Sequence, residues 1–141
     1  MSRPPPGVAG VLETALYVAD LGRATEFYQS LFGFAKLDCD ARFTALEVPA
    51  HQVLLLFQQG GTTQPVRLPF GVIPPHDGSG HLHFAFAISE MDLAPWESRL
   101  GERGIAIEGR VRWPRGGTSI YFRDPDSHLV ELATPGLWWP K

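Results

Sequence analysis

Apolar side chains recur along this chain with two periods, and the periods alternate. From Val11 to Val18 apolar and polar residues take turns, the two-residue rhythm of a half-buried strand. Asp20 then stands ahead of Ala24, Phe27, Tyr28 and Leu31. These are spaced i, i+3, i+4, i+7, one stripe of a helix that Asp20 caps and Gly33 stops. Strands are expected next at about 34–39, 42–48 and 51–58. The stretch from Gln59 to Gly80 carries Gly60-Gly61, Pro74-Pro75 and Asp77-Gly78-Ser79-Gly80 and reads as a long loop. Loops of that length are more often functional than idle. From His81 the order repeats. A strand runs to Ile88, and Ser89 caps a helix with Leu93, Trp96 and Leu100 on one stripe, ended by Gly104. Strands follow near 105–112, 117–123 and 127–133.

Both halves thus read β-α-β-β-β, and they align in register. Glu13–Val18 lies over His83–Ile88 at an offset of 70, and Val53–Phe57 over Leu129–Ala133 at an offset of 76. A duplication fixes the architecture before any other detail. The expected layout is an α+β fold with a loose Pro- and Gly-rich arm at 1–10 and one domain at 11–134. That domain holds a first module at about 11–58, a loop at 59–79 and a second module at about 80–134. A tail follows at 135–141.

Alternation also sorts the faces. Leu12, Thr14, Leu16 and Val18 share one face of the first strand, and Glu13, Ala15 and Tyr17 the other. Leu82, Phe84, Phe86 and Ile88 oppose His81, His83, Ala85 and Ala87; Ile120 and Phe122 oppose Ser119, Tyr121 and Arg123. Val130 and Leu132 oppose Leu129, Glu131 and Ala133. One face is an apolar floor for two helices. The other carries small residues around Glu13, His83, Tyr121 and Glu131, which suits a cavity wall. A carboxylate among Leu, Val and Ala needs a partner or loses its charge. Two carboxylates and an imidazole can share one divalent cation, and this donor set suits Fe, Mn, Co, Ni or Zn. His81 shares the face of His83 and is the rival ligand. For Glu13 the competing role is a hydrogen-bonded carboxylate in a metal-free cavity.

Composition narrows the partners. With 12 basic and 15 acidic residues in 141, the net charge is −3, which disfavours nucleic acid. No run has the length and apolarity of a membrane span. The opening Met1-Ser-Arg-Pro-Pro-Pro-Gly7 has no apolar signal core, and a lone Cys39 fits a reducing cytoplasm. His51, His76 and His128 sit in turn or loop contexts and read as surface residues. Arg112 and Arg115 can grip an anion, though exposure beside Pro114 and Gly116 is the simpler role. Phe27, Tyr28 and Trp96 read as core. Trp138 and Trp139 read as packing over the cavity or a dimer seam.

Specific motifs add a family likeness. Leu16-Tyr-Val-Ala-Asp-Leu21 leads into Glu26-Phe-Tyr-Gln-Ser-Leu-Phe-Gly-Phe34, and Gly80-His-Leu-His-Phe-Ala-Phe86 follows. Arg115-Gly-Gly-Thr-Ser-Ile-Tyr-Phe-Arg-Asp-Pro-Asp126 then precedes His128-Leu-Val-Glu131. Across residues 11–134 the chain resembles the vicinal oxygen chelate superfamily, also called the glyoxalase/bleomycin-resistance/dioxygenase superfamily. The resemblance implies paired β-α-β-β-β modules forming a half-open mixed barrel, helices outside, around a metal, and a homodimer. It implies Glu13, His83 and Glu131 as ligands of one divalent ion, with Leu55 at the fourth family position, where it cannot ligate. Tyr121 resembles the tyrosine that hydrogen-bonds a metal-bound substrate oxygen in ring-cleaving dioxygenases and fosfomycin-modifying transferases.

The activity implied is that of a metal-dependent, glyoxalase-like lyase or isomerase that chelates a small substrate through vicinal oxygens. Glu131 and Tyr121 are its catalytic candidates; Tyr17, Phe43, Leu55, Phe57, Ser119 and Tyr121 are its substrate contacts. Glutathione dependence is doubtful, because the residues that would grip it cannot be placed. Fosfomycin modification is disfavoured by Ala15 and by the lack of an Arg after Glu131. Two alternatives stand beside this activity. One is a metal-free protein that sequesters a drug or other small molecule; the other is an extradiol-type dioxygenase, for which one His ligand is few.

Overall fold

A computed structural model describes residues 3–140; of the expected arm and tail, residues 1, 2 and 141 lie outside the described residues. Two compact units divide at Gly78–Ser79, inside the long connection between the modules.

In the first unit the opening strand is β1 (Glu13–Val18), and α1 spans Leu21–Phe32. The Asp20 carboxylate accepts from the Arg23 amide, and Gly33 closes the helix in a left-handed conformation at φ 73°. Then come β2 (Lys36–Cys39), β3 (Phe43–Val48) and β4 (Gln52–Gln58). The sheet order is β1-β4-β3-β2, with β1 parallel to β4 and the other pairs antiparallel. α1 packs on β3 and β4. Leu16, Val18, Tyr28, Leu31, Leu46, Leu54 and Leu56 are buried, each contributing about 1.5–3 kcal/mol of apolar burial. Phe27 is only half-buried. Thr25 is buried beside that stripe instead, its hydroxyl 2.9 Å from that of Thr44.

The long connection is not structureless. Its hairpin of β5 (Val66–Leu68) and β6 (Gly71–Ile73) was not expected, because three-residue strands around Pro69-Phe70 leave no periodicity to read. Thr62 closes the base of this segment: its hydroxyl donates to the His76 carbonyl at 2.6 Å, and its own carbonyl accepts from the His76 amide at 3.0 Å.

The second unit repeats the plan with β7 (His83–Ala87), α2 (Leu93–Glu102), β8 (Gly109–Arg112), β9 (Thr118–Arg123) and β10 (Leu129–Ala133). Its order, β7-β10-β9-β8, matches the first, again with the outer pair β7 and β10 parallel. Both sheets are open. Ser89 does not cap α2. It precedes a short 3-10 turn, Glu90–Asp92, and its hydroxyl meets Asp92 at 3.0 Å, so the α-helix begins at Leu93. Residues 105–108 form no strand. Glu97 on α2 accepts from Arg110 on β8 at 3.2 Å. Leu100, Ile120, Phe122, Val130 and Leu132 are buried, and Trp96 is half-buried. Among the described residues, no helix is long and apolar enough to cross a membrane.

Candidate metal and substrate site

Parallel pairing decides what can meet. In the first unit Glu13 lies opposite Val53 and Ala15 opposite Leu55; in the second His83 lies opposite Leu129 and Ala85 opposite Glu131. Glu13 and His83 therefore hold the same place in their modules, as do Leu55 and Glu131. Side chains of one face lean toward diagonal neighbours across a strand pair. That diagonal carries His83 to Glu131, with Nε2 3.2 Å from Oε1.

The His83 ring is oriented from behind. Its Nδ1 lies 2.9 Å from the Leu129 carbonyl oxygen, which can only accept, so Nδ1 carries the proton and Nε2 faces the carboxylate. A neutral imidazole in that tautomer sets its lone pair against a carboxylate oxygen. A cation, or a proton on Nε2, satisfies both atoms. A histidine tied through one nitrogen with the other presented beside a carboxylate is the arrangement that metal-binding histidines use. His81 precedes β7, is exposed and is not at this carboxylate. Among the described residues no group of three or more His, Cys, Asp and Glu side chains is gathered as a metal cage. The pair His83–Glu131 is what the second unit assembles; Glu13 is exposed on the first.

Glu131 is 8% exposed, yet both of its oxygens are engaged. Oε1 faces His83, and Oε2 accepts from the Ser119 hydroxyl at 2.5 Å. Ser119 was expected to touch substrate. It is fully buried, and its one proton is spent on Glu131, so it is not a cavity-wall residue. Tyr121 pairs with Glu131 across the strands, and its ring lies 6.2 Å from that of His83. Burial first, then the charge of Glu131, pushes its phenol above the ordinary range, so Tyr121 stays a hydroxyl donor at neutral pH.

Over Glu131 and Tyr121 opens a cavity of about 590 Å³, with Ala85 and Ala133 leaving room and Trp113, Trp138 and Trp139 as apolar wall. Such a volume takes a small organic molecule. Trp138 and Trp139 are largely exposed and are not core. Arg115 also lines the cavity, from the β8–β9 turn. A cation is therefore supplied from ahead of Glu131 in the chain rather than after it.

The first unit has its own cavity of about 490 Å³, lined by Glu13, Phe43, Leu55, Phe57 and His76 among others. Phe43, Leu55 and Phe57 are side by side in its wall. Tyr17 is not: its ring stacks on Phe57 at 5.9 Å and its hydroxyl lies 2.7 Å from Nδ1 of His76, behind the wall. His76, expected on the surface, is half-buried in this cluster. His128 is likewise no surface residue. It is fully buried, and its Nδ1 accepts from the Leu82 amide at 2.9 Å. The Asp-Pro-Asp motif explains its placement, because the Asp124 carboxylate accepts from the amides of Asp126 and His128, both at 2.9 Å. That folds the β9–β10 turn, with Ser127 at φ 62°. His76 and Trp113 are the site residues that sequence reasoning missed. Neither sits in a pattern, and only the packed turn and hairpin bring them to a cavity.

Comparison with known proteins agrees with this layout. The family model described as the Glyoxalase/Bleomycin resistance protein/Dioxygenase superfamily matches residues 10–132. Metallothiol transferase FosB of Shouchella clausii is 33% identical over 132 residues, covering 92% of this chain and 83% of that protein. The FosB of Bacillus licheniformis is 31% identical over 132 residues, covering 93% of this chain and 79% of its own length. Among solved structures, Lactoylglutathione lyase from Agrobacterium tumefaciens matches with a TM-score of 0.84 and 32% identity, covering 97% of this chain and 99% of that one.

Proposed function

The chain belongs to the glyoxalase/bleomycin resistance protein/dioxygenase superfamily, and from that premise we propose that it is a divalent-metal-dependent enzyme acting on a small oxygenated substrate. Glyoxalase-like lyase or isomerase chemistry fits best. The observation that carries it is the pair His83 Nε2 and Glu131 Oε1, 3.2 Å apart beside the cavity that Glu131 lines, with the imidazole fixed through Leu129. These two residues would hold the ion, with Glu13 of a first module as the third ligand. One nitrogen and two carboxylates suit Fe, Mn, Co, Ni or Zn. A bound divalent ion supplies Lewis-acid stabilisation of an oxyanion on the substrate.

The chain's residues supply the rest. A carboxylate partly released from the ion, Glu131 at Oε1 or Glu13, would take a proton from the substrate and return it, as general base and then acid. Tyr121 donates its hydroxyl proton in a hydrogen bond to a substrate oxygen. Trp113 gives the substrate an apolar wall beside Glu131. Phe43, Leu55 and Phe57 would be apolar substrate contacts in the first module's own cavity. We place this activity in the cytoplasm, in a homodimer; the exposed free thiol of Cys39 suits a reducing compartment.

Thiol transfer is a second form of the same metal chemistry. The names of the FosB relatives favour it, and Arg115 supplies the cavity cation that no Arg after Glu131 provides.

Purified protein is expected to hold about one divalent ion per chain, and Glu131→Ala to lose it, read by elemental analysis after dialysis. A protein with no affinity for added Mn, Ni, Zn or Fe would overturn the metal reading in favour of metal-free binding.

A further inference from the structure

We propose that Trp113 and Ser119 are positioning residues for Glu131, joined to it in a one-way hydrogen-bond chain that decides which carboxylate oxygen is free. The proposal rests on the metal-site reading above for its consequence, though not for its geometry. Trp113 Nε1 donates to Ser119 Oγ at 2.8 Å, and Ser119 Oγ donates to Glu131 Oε2 at 2.5 Å. An indole N–H can only donate, and a serine hydroxyl has a single proton. With Trp113 pointing its proton at Oγ, the hydroxyl proton is left for the carboxylate. The Tyr121 phenol is also a side-chain hydrogen-bond partner of Ser119 and Glu131, but the 2.5 Å contact with a charged carboxylate draws the serine proton to Oε2. Oε1 is left facing His83. Glu131 is thereby set to ligate through one oxygen.

Sequence explains why these residues meet. Ser119 lies opposite Ala133 in the β9–β10 pairing, so it is diagonal to Glu131 on the same face. Trp113 reaches it because the chain turns back at once. The Trp113 amide bonds the Gly117 carbonyl at 3.0 Å, and the Gly116 amide bonds the Trp113 carbonyl at 3.0 Å. Ser119 is fully buried, so water does not replace either partner if the hydroxyl is removed. The indole of Trp113 is also cavity wall. One side chain therefore both touches whatever fills the cavity and orients the proposed ligand. Hydrogen-bond partners of metal ligands usually change affinity by 10–100-fold when removed.

The test is Mn(II) titration of the full chain as wild type, S119A, S119T and W113F, with a melting curve for each. We expect S119A to weaken Mn(II) binding by about 10–100-fold and S119T, which keeps the hydroxyl, to restore it. W113F is expected to weaken it less, since the Ser119–Glu131 bond survives. A second arm needs no metal. In metal-free protein the melting-point loss of the double variant S119A/E131L should be smaller than the sum of the two single losses, because each single change removes the same bond, the first its donor and the second its acceptor. Equal Mn(II) affinity in S119A and wild type would overturn the proposal. So would equal weakening in S119A and S119T. If the wild type takes up no Mn(II), the metal reading fails and the metal-free cycle decides alone: additive losses overturn the chain, and non-additive losses uphold it.

Discussion

A histidine serves a fold according to which ring nitrogen is occupied. His83 spends Nδ1 on a carbonyl and presents Nε2 to a carboxylate. His128 does the reverse: Nδ1 accepts an amide proton and the ring is fully buried. His76 lies against Tyr17 and Phe57. Removing the His128 ring leaves the Leu82 amide without this acceptor and a cavity in the second unit. His128→Ala is therefore expected to cost about 2–4 kcal/mol, read as a lowered denaturant midpoint; an unchanged midpoint would contradict the buried role. At this scale the sequence is only partly legible. Glu131 and His83 stand out because charge in an apolar strand needs an explanation. His128 follows a turn motif that looks exposed, and only the Asp124 carboxylate gathering two amides draws it inward.

Among the elements, the β8–β9 hairpin supplies both Trp113 and Ser119 and depends on a tight turn. Its turn holds Gly116 at φ 119° and Gly117 at φ 88°. A Cβ on Gly117 would come within 2.7 Å of the Leu137 amide nitrogen, so strain and collision act together. Gly117→Ala is expected to destabilise the protein by about 1–3 kcal/mol and to shift the emission of Trp113, seen by denaturation and fluorescence. The helix-and-strand order was readable because both periods are clear and because caps such as Asp20 and Gly33 are local. Residues 105–108 and the start of α2 are misleading in sequence for a different reason. Ile105 and Ile107 alternate well enough for a strand, but no neighbouring strand pairs with them. Ser89 looks like a cap, but its hydroxyl is taken by Asp92.

For the whole molecule, duplication was legible in order and in register, while the cavities were not, since their walls come from turns and from the unexpected β5–β6 hairpin. Large apolar side chains stay exposed on each unit: Phe70 at 86% on the first, Met91 at 88% and Trp139 at 71% on the second. Scattered apolar residues are ordinary, but two exposed tryptophans side by side beside a cavity are what a partner would cover in the proposed homodimer. Together with the homodimer proposed above, this predicts a sedimentation mass twice that of the chain. A single-chain mass across micromolar concentrations would count against it.

The parallel pairing of β7 with β10 has a kinetic side. His83 and Glu131 are brought together only when β10 slips between β7 and β9, and the hydrogen bond from His83 to Leu129 already spans 46 residues. Contacts that distant form late, after the entropy of closing a long loop has been met. No hairpin of the second unit can build the pair in advance, because its two members never share one. Competence at this carboxylate thus arrives with the last strand, and a chain halted before Leu129 would have every residue of the β8–β9 hairpin and no site.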